Sequence, residues 1–217
     1  MSKYEISSKN KVKRVPERGH YDKKTIYSIL DDAYVCHVGF VIEGQPFVIP
    51  TLYGRKDNLL YLHGASSSRM IKQIEKSVPV CVTVTHIDGL VLARSAFHHS
   101  MNYRSVIVFG NAIKISEGQK EKALEIISEH IIPGRWKEVR PPSAKELKAT
   151  TVLTIDIDQA SAKIRQGPPG DNKEDYELNI WAGVIPLSVQ RGAPVADEAL
   201  TRNIPLSKAA RAYSDKN

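Results

Sequence analysis

Valine and isoleucine recur at every second position through much of this chain, and a period of two is the mark of half-buried strands. "VCVTVTHI", from Val80, is the cleanest run. "YVCHVGFVI" and "PFVIPTLY" flank Glu43-Gly44 and predict a β-hairpin. The turn "GRKDN" leads to a third strand, "LLYLH". Asp88-Gly89 predicts another hairpin turn, into "LVLARSA". "RSVIVFGNAIKI" is a long strand in which Gly110 marks a bulge or bend, and "TTVLTIDIDQASAKIR" resumes strand character. The period lengthens to that of a helix in three places. Asp22 caps a helix carrying Ile26, Ile29 and Leu30 on one face. Met70, Ile71 and Ile74 share a face after the small-residue loop "GASSSR". Ser116 and Gln119 predict a capping box in front of "KEKALEIISEHII", which stops at Pro133-Gly134. Residues 135–149 read as a loop and a short helix, "QGPPGDNKED" as a loop, and the last residues as a frayed end. At least six strands in hairpin succession, with few helices between them, predict a mainly β protein built on a small antiparallel barrel rather than a doubly wound sheet. The economical division is one domain over residues 16–190, a basic tail at 1–15 and an extension at 191–217.

The 217 residues suffice for one domain with a real core. No run approaches the length of a membrane span, and the N-terminus lacks the apolar centre of a secretory signal. Cys36 and Cys81 lie in separate apolar runs, as small buried residues of a reduced compartment would, so the expected location is the cytoplasm. The net charge of +7 raises the question of nucleic acid. Much of the excess sits at the two ends, where it reads as solvated tails, and the basic residues do not interleave with aromatics along one strand. Nucleic acid is therefore not the expected partner.

Two stretches carry candidate chemistry. In "LHGASSSR", His63 ends a strand, Gly64 and Ala65 allow close backbone approach, and Ser66, Ser67 and Ser68 precede Arg69. Hydroxyls and a guanidinium of this kind suit a phosphate, although a serine-capped helix has the same appearance. The pattern is not that of a nucleotide-triphosphate loop. In "SAFHHSMNYR", the residues Ser95, His98, His99, Ser100, Asn102, Tyr103 and Arg104 crowd one connection. Adjacent histidines with no spaced partner make a poor metal site, and no nucleophile elbow accompanies them. As hydrogen-bond donors around an anion they are coherent, as they also are in a plain solvated loop. Trp181, in "NIWAGVIPL", stands among small and apolar residues and reads as core, and Trp136 as a loop anchor.

"RGHYDKKTIYSILDDAYVCHVGFVIEGQPFVIPTLYGRKDNLLYLHGASSSRM", "SAFHHSMNYRSVIVFGNA" and "WAGVIPL" together resemble the pyridoxamine 5'-phosphate oxidase-like superfamily, and within it the nitroimidazole-resistance and flavin-nucleotide-binding branch. The resemblance runs from about Val12 to Val189. It implies a six-stranded antiparallel split β-barrel with peripheral helices, forming a homodimer with FMN at the subunit interface. Ser66, Ser67, Ser68 and Arg69 would hold the flavin phosphate. Pro50, Thr51, Leu52 and Tyr53 would run their backbone along the ring, with His63 and Gly64 close by. Ser95, His98, His99, Asn102, Tyr103 and Arg104 would complete the pocket, and Trp181 would approach the ring from the partner chain. In that branch a histidine near the flavin is implicated. Its counterpart is His63, the catalytic candidate, or one of the pair His98–His99. The ending "SVQRGAPVADEAL" departs from that of true pyridoxamine phosphate oxidases, so vitamin B6 oxidation is not expected. Transfer of two electrons from reduced FMN to a small acceptor, such as a nitroaromatic, is the implied activity. The alternative is a non-catalytic flavin- or haem-binding protein of the same fold.

Overall fold

A computed structural model describes residues 2–200 and 203–215 of the chain. Met1 of the predicted tail, and residues 201, 202, 216 and 217 of the predicted extension, lie outside the described residues. The strands are β1 (Gly19–His20), β2 (Val35–Ile42), β3 (Gln45–Lys56), β4 (Leu59–Ala65), β5 (Lys76–Leu92), β6 (Ser100–Lys114), β7 (Thr150–Asp156), β8 (Gln159–Arg165) and β9 (Gly183–Pro186). The helices are α1 (Lys23–Asp31), α2 (Arg69–Ile74), α3 (Lys120–Ile131), α4 (Ala144–Ala149) and α5 (Lys208–Ser214). Hydrogen bonding follows the order β1-β8-β6-β7-β4-β3-β2-β5-β9, and a further β6–β5 pairing closes β2 to β7 into a ring of six. The fold is mainly β and antiparallel, as the alternating pattern predicts.

Contacts gather into two compact units. The first takes the chain up to Pro50, Val80–Gly110 and Ile157–Ser188. Its core holds Ile26, Leu30 and Val38 with Val82, Val106 and Ala162, all buried. Asp22 accepts from the Thr25 N–H at 2.9 Å and starts α1 where the sequence places the cap. That bond, foremost, holds the Asp22 carboxyl below its ordinary pKa. The second unit takes Thr51–Pro79, Asn111–Asp156 and the chain from Val189. Here α2 and α3 bury Ile71, Ile74, Ala123 and Ile127 with Leu60, Leu62 and Leu153 of the strands.

Several expectations need correction. Asp88-Gly89 makes no hairpin, because β5 runs unbroken from Lys76 to Leu92. Gly89 keeps a φ outside the left-handed region and pairs with Pro186 of β9, where an added Cβ would stand 3.0 Å from the Ile185 carbonyl oxygen. The pair serves strand addition there, not a turn. The run from Thr150 to Arg165 has the strand character expected and forms two strands, β7 and β8. Ser116 and Gln119 do not form a capping box; the Ser116 hydroxyl donates to the Gln119 side-chain oxygen instead. The N-terminal segment is docked rather than solvated. Tyr4 and Asn10 are buried, and Asn10 Nδ2 donates to the Glu5 and Ala160 carbonyls at 2.9 and 3.2 Å. Helix α5 is likewise held. Ala209 of α5 is buried, and its N–H donates to Glu138 Oε1.

Candidate functional site

The sequence-predicted site residues fall into a group in each unit. In the second unit, β4 alternates Leu60 and Leu62 into the core with Tyr61 and His63 on the other face, half-buried. His63 Nδ1 is enclosed by protein and has no hydrogen-bond partner. Burial pushes its pKa down, so the imidazole is neutral at pH 7 and can either donate or accept. A buried polar atom left without a partner is costly, and such orphans mark places where a ligand or water completes the structure.

After β4 the chain turns sharply. Ser66 N–H donates to the Ala149 carbonyl at 2.9 Å, and the Ser66 hydroxyl lies 2.9 Å from that of Thr151. Ser68 N–H closes the turn on the Ala65 carbonyl at 2.8 Å. These bonds fix the turn and commit the Ser66 hydroxyl to it. The Ser68 hydroxyl makes no capping bond, and Ser67 and Arg69 are exposed. The Ser67 and Ser68 hydroxyls and the Arg69 guanidinium thus share one pinned turn, residue types suited to an oxyanion. Gly64 has a use the sequence does not show. A Cβ there would meet Ile71 Cγ1 at 2.9 Å, so the missing side chain makes room for α2 rather than for a ligand.

Along β3, Leu52 is exposed and Thr51 half-buried, while Tyr53 is wholly buried against the His130 ring at 4.9 Å between centroids. Tyr53 as a whole, main chain included, is therefore closed off from the surface of this unit. Pro50 is exposed on the same strand, within the first unit.

In the first unit the polar connection before β6 is largely spoken for. His99 Nδ1 accepts from the Ala93 N–H at 3.0 Å, and Ser95 Oγ from the Phe97 N–H at 3.3 Å. Buried Asn102 donates to the Gly167 carbonyl at 3.2 Å and accepts from Arg165. Arg104 donates through Nε and Nη2 to Asp88 and through Nη1 to Asp32 at 3.0 Å. The Asp88 bond leads in raising its pKa, burial opposes it, and the Asp32 bond adds to the rise. His98 packs edge-on against exposed Phe97, and the side chain of Tyr103 is half-buried. Trp181 is not core: 67% of its surface is exposed, with its ring over Gly183, whose missing side chain leaves the space. Leu178, Ile180, Ile185 and Leu187 around it are exposed as well.

Sequence reasoning passed over Arg94. Its guanidinium meets the fully buried Asp171 carboxylate at 3.0 Å, its main-chain N–H donates to the same carboxylate, and it stacks 4.7 Å over the Tyr176 ring. Arg165, buried at the end of β8, was passed over too. A cavity of about 540 Å³ in this unit is lined by Lys3, Asp22, Lys24, Thr25, Ser28 and Arg104 over Ile29 and Ile164. Among the described residues, no group of three or more His, Cys, Asp or Glu is placed to hold a metal ion. Among the described residues, no helix is long and apolar enough to cross a membrane.

A family model described as pyridoxamine 5'-phosphate oxidase matches residues 22–164. Among solved structures, flavocytochrome Anf3 from Azotobacter vinelandii is 40% identical, with a TM-score of 0.90 over 95% of this chain and 96% of that one. A FAD and heme binding protein from Mycobacterium smegmatis is 34% identical, with a TM-score of 0.87 over 90% and 96% of the two chains. A candidate 5-nitroimidazole antibiotic resistance protein from Bacteroides thetaiotaomicron is 28% identical, with a TM-score of 0.57 over 67% and 86%. No curated protein matches.

Proposed function

The chain belongs to the pyridoxamine 5'-phosphate oxidase family, and from that premise we propose that it is a flavoprotein that also takes a haem. The observation that carries this reading is full-length likeness, at 40% and 34% identity, to a flavocytochrome and to a FAD and heme binding protein. The residues of this chain fit a flavin. Ser67, Ser68 and Arg69 offer donors for its phosphate, and the orphaned Nδ1 of His63 awaits a polar partner. Bound flavin supplies the redox chemistry; the protein supplies binding, orientation and electrostatics. A neutral imidazole such as His63 is also the type of side chain that haem iron takes. The exposed apolar stretch around Trp181 suits cover by a second copy, so the assembly is read as a homodimer. Both cysteines are unpaired, in keeping with a reduced, cytoplasmic setting.

A second reading is favoured by the serine-arginine motif and by likeness to the Bacteroides protein: an FMN oxidoreductase reducing a small acceptor such as a nitroaromatic, without haem. One experiment separates the two. The protein is purified without added cofactor, its visible spectrum is recorded, and released chromophores are identified by mass. A Soret band beside flavin absorption supports the first reading, and flavin alone the second. His63→Ala should then abolish the Soret band or shift the flavin spectrum. A colourless protein that takes up neither group would overturn both.

A further inference from the structure

Arg165 closes β8 with only 7% of its surface exposed. Its guanidinium donates to Asn102 Oδ1, to the Gly167 carbonyl at 3.1 Å and to the Pro168 carbonyl at 3.0 Å. All three acceptors are neutral. Among the described residues no carboxylate lies within ion-pair distance of Arg165, in contrast to Arg94 with Asp171 and Arg104 with Asp88 and Asp32. The three bonds use three of the five N–H groups of a guanidinium and leave Nε and one Nη2 hydrogen.

A second cation stands beside it. Gly19 pairs with Lys163, which brings Arg18 alongside the end of β8, and Arg18 likewise has no acidic partner among the described residues. Burial pushes the Arg165 pKa down, and the Arg18 charge adds to that push. Across the sheet, Tyr103 is the direct partner of Arg165 on β6, so both side chains rise from the same face. Beyond β8 the chain turns through Gly167 at φ +97°, with nothing within 4 Å of where a Cβ would stand. A buried cation without a counter-charge is costly, and a like charge beside it makes the arrangement worse. A dianion would relieve both.

We propose that Arg165 and Arg18, with the Tyr103 hydroxyl, form a receptor for a phosphate-type oxyanion. Two guanidinium charges match a dianion better than a single carboxylate, and arginine forks suit phosphate oxygens. This goes beyond the flavin reading, in which neither arginine has a part.

The test is calorimetric titration of the purified full-length protein with inorganic phosphate, against chloride of matched ionic strength, alongside thermal melts. The expected result is saturable uptake of one phosphate per chain and a melting temperature that rises with phosphate. Arg18→Gln should weaken that uptake by about tenfold or more, as loss of a charge-assisted contact does. Arg165→Gln should abolish it, and if that variant fails to fold, Arg18→Gln, at a half-exposed position, still carries the test. Competition by FMN or FAD would identify the bound anion as the flavin's own phosphate; uptake undisturbed by either would identify a separate phosphate compound. Uptake no stronger than chloride, or unchanged in both variants, would overturn the proposal. The flavin reading stands or falls separately, on the visible spectrum of the unaltered protein.

Discussion

Replacing Gly54 with alanine tests how α3 is seated on β3. A Cβ at Gly54 would stand 2.8 Å from Ile127 Cα, 3.0 Å from Ile127 N and 3.1 Å from the Ile126 carbonyl oxygen. All three are main-chain atoms of one helix, so no rotamer change can relieve the contact. The nearest is about 0.7 Å inside the roughly 3.5 Å at which carbon atoms pack comfortably. The helix must retreat by a similar amount, loosening Ile127 and Ala123 from the core and the Tyr53–His130 ring contact with them. Overpacking of a well-filled core costs about 1–3 kcal/mol, and a rigid neighbour puts this case at the upper end, about 3 kcal/mol. For a chain of this size, about 2–4 °C of melting temperature is lost per kcal/mol, which gives a fall of roughly 6–12 °C. Circular dichroism melts of wild type and Gly54→Ala read this directly. Gly118→Ala is the control, since nothing lies within 4 Å of its would-be Cβ, and it should change the melting temperature little. A Gly54→Ala protein melting within about 2 °C of wild type would refute the claim that α3 rests backbone to backbone on this strand.

Two further outcomes follow from buried groups. Burial alone would raise the Asp171 pKa, but donation from the Arg94 guanidinium and from the N–H groups of Arg94 and Ser95 outweighs it and holds the carboxyl below its ordinary value. A depressed carboxyl stabilises the fold above its unfolded pKa of about 4, and that contribution disappears as pH falls through the lower folded value. Wild type should therefore show increasing protease cleavage within residues 166–177 as pH drops below about 4, read with an acid-stable protease. Asp171→Asn should already be cleaved readily at pH 7, and its cleavage should vary less with pH; equal resistance of the two proteins at pH 7 would refute the idea that the Arg94–Asp171 pair holds this segment. Burial pushes the Cys36 thiol up to about 12. A thiol reagent at pH 8 should therefore leave Cys36 unmodified in the native protein and label it on unfolding, with peptide mass mapping to identify the site. Labelling of native Cys36 would show that β2 opens more readily than its burial implies.

Strand placement was legible because the sheet obeys local chemistry. "VCVTVTHI" alternates as it must when one face is buried, and Asp22 caps α1 as its side chain predicts. Asp88-Gly89 was misread because turn propensity is a local preference, and β9, far along the chain, overrides it by pairing there. Trp181 was misread for the converse reason. Its neighbours are small and apolar, but they too lie near the surface, so hydrophobic surroundings in sequence did not mean enclosure in space. The serine-arginine turn could be read because its residues are contiguous. Arg165 and Arg18 could not, since nothing in the sequence tells which arginine will find an acid.

That difference bears on the polar segment before β6. Donors bunched in a sequence look like a binding site, yet Asn102, His99 and Arg104 each spend hydrogen-bonding capacity on their own unit. Arg104 is matched by two carboxylates and Arg94 by one, so for these two the charge is settled within the fold. Arg165 is satisfied as a hydrogen-bond donor but not as a charge, because carbonyl groups solvate a cation without neutralising it. The useful distinction between structural and receptor residues here is therefore not polarity, burial or crowding but charge balance. By that measure the residue of this region best suited to receive an anion is one that the crowded segment does not contain: Asn102 braces Arg165, and Tyr103 stands directly across from it. On this argument the segment is polar because it supports a neighbouring cation, and replacing Asn102 should weaken phosphate uptake through Arg165 without any contact between Asn102 and the anion.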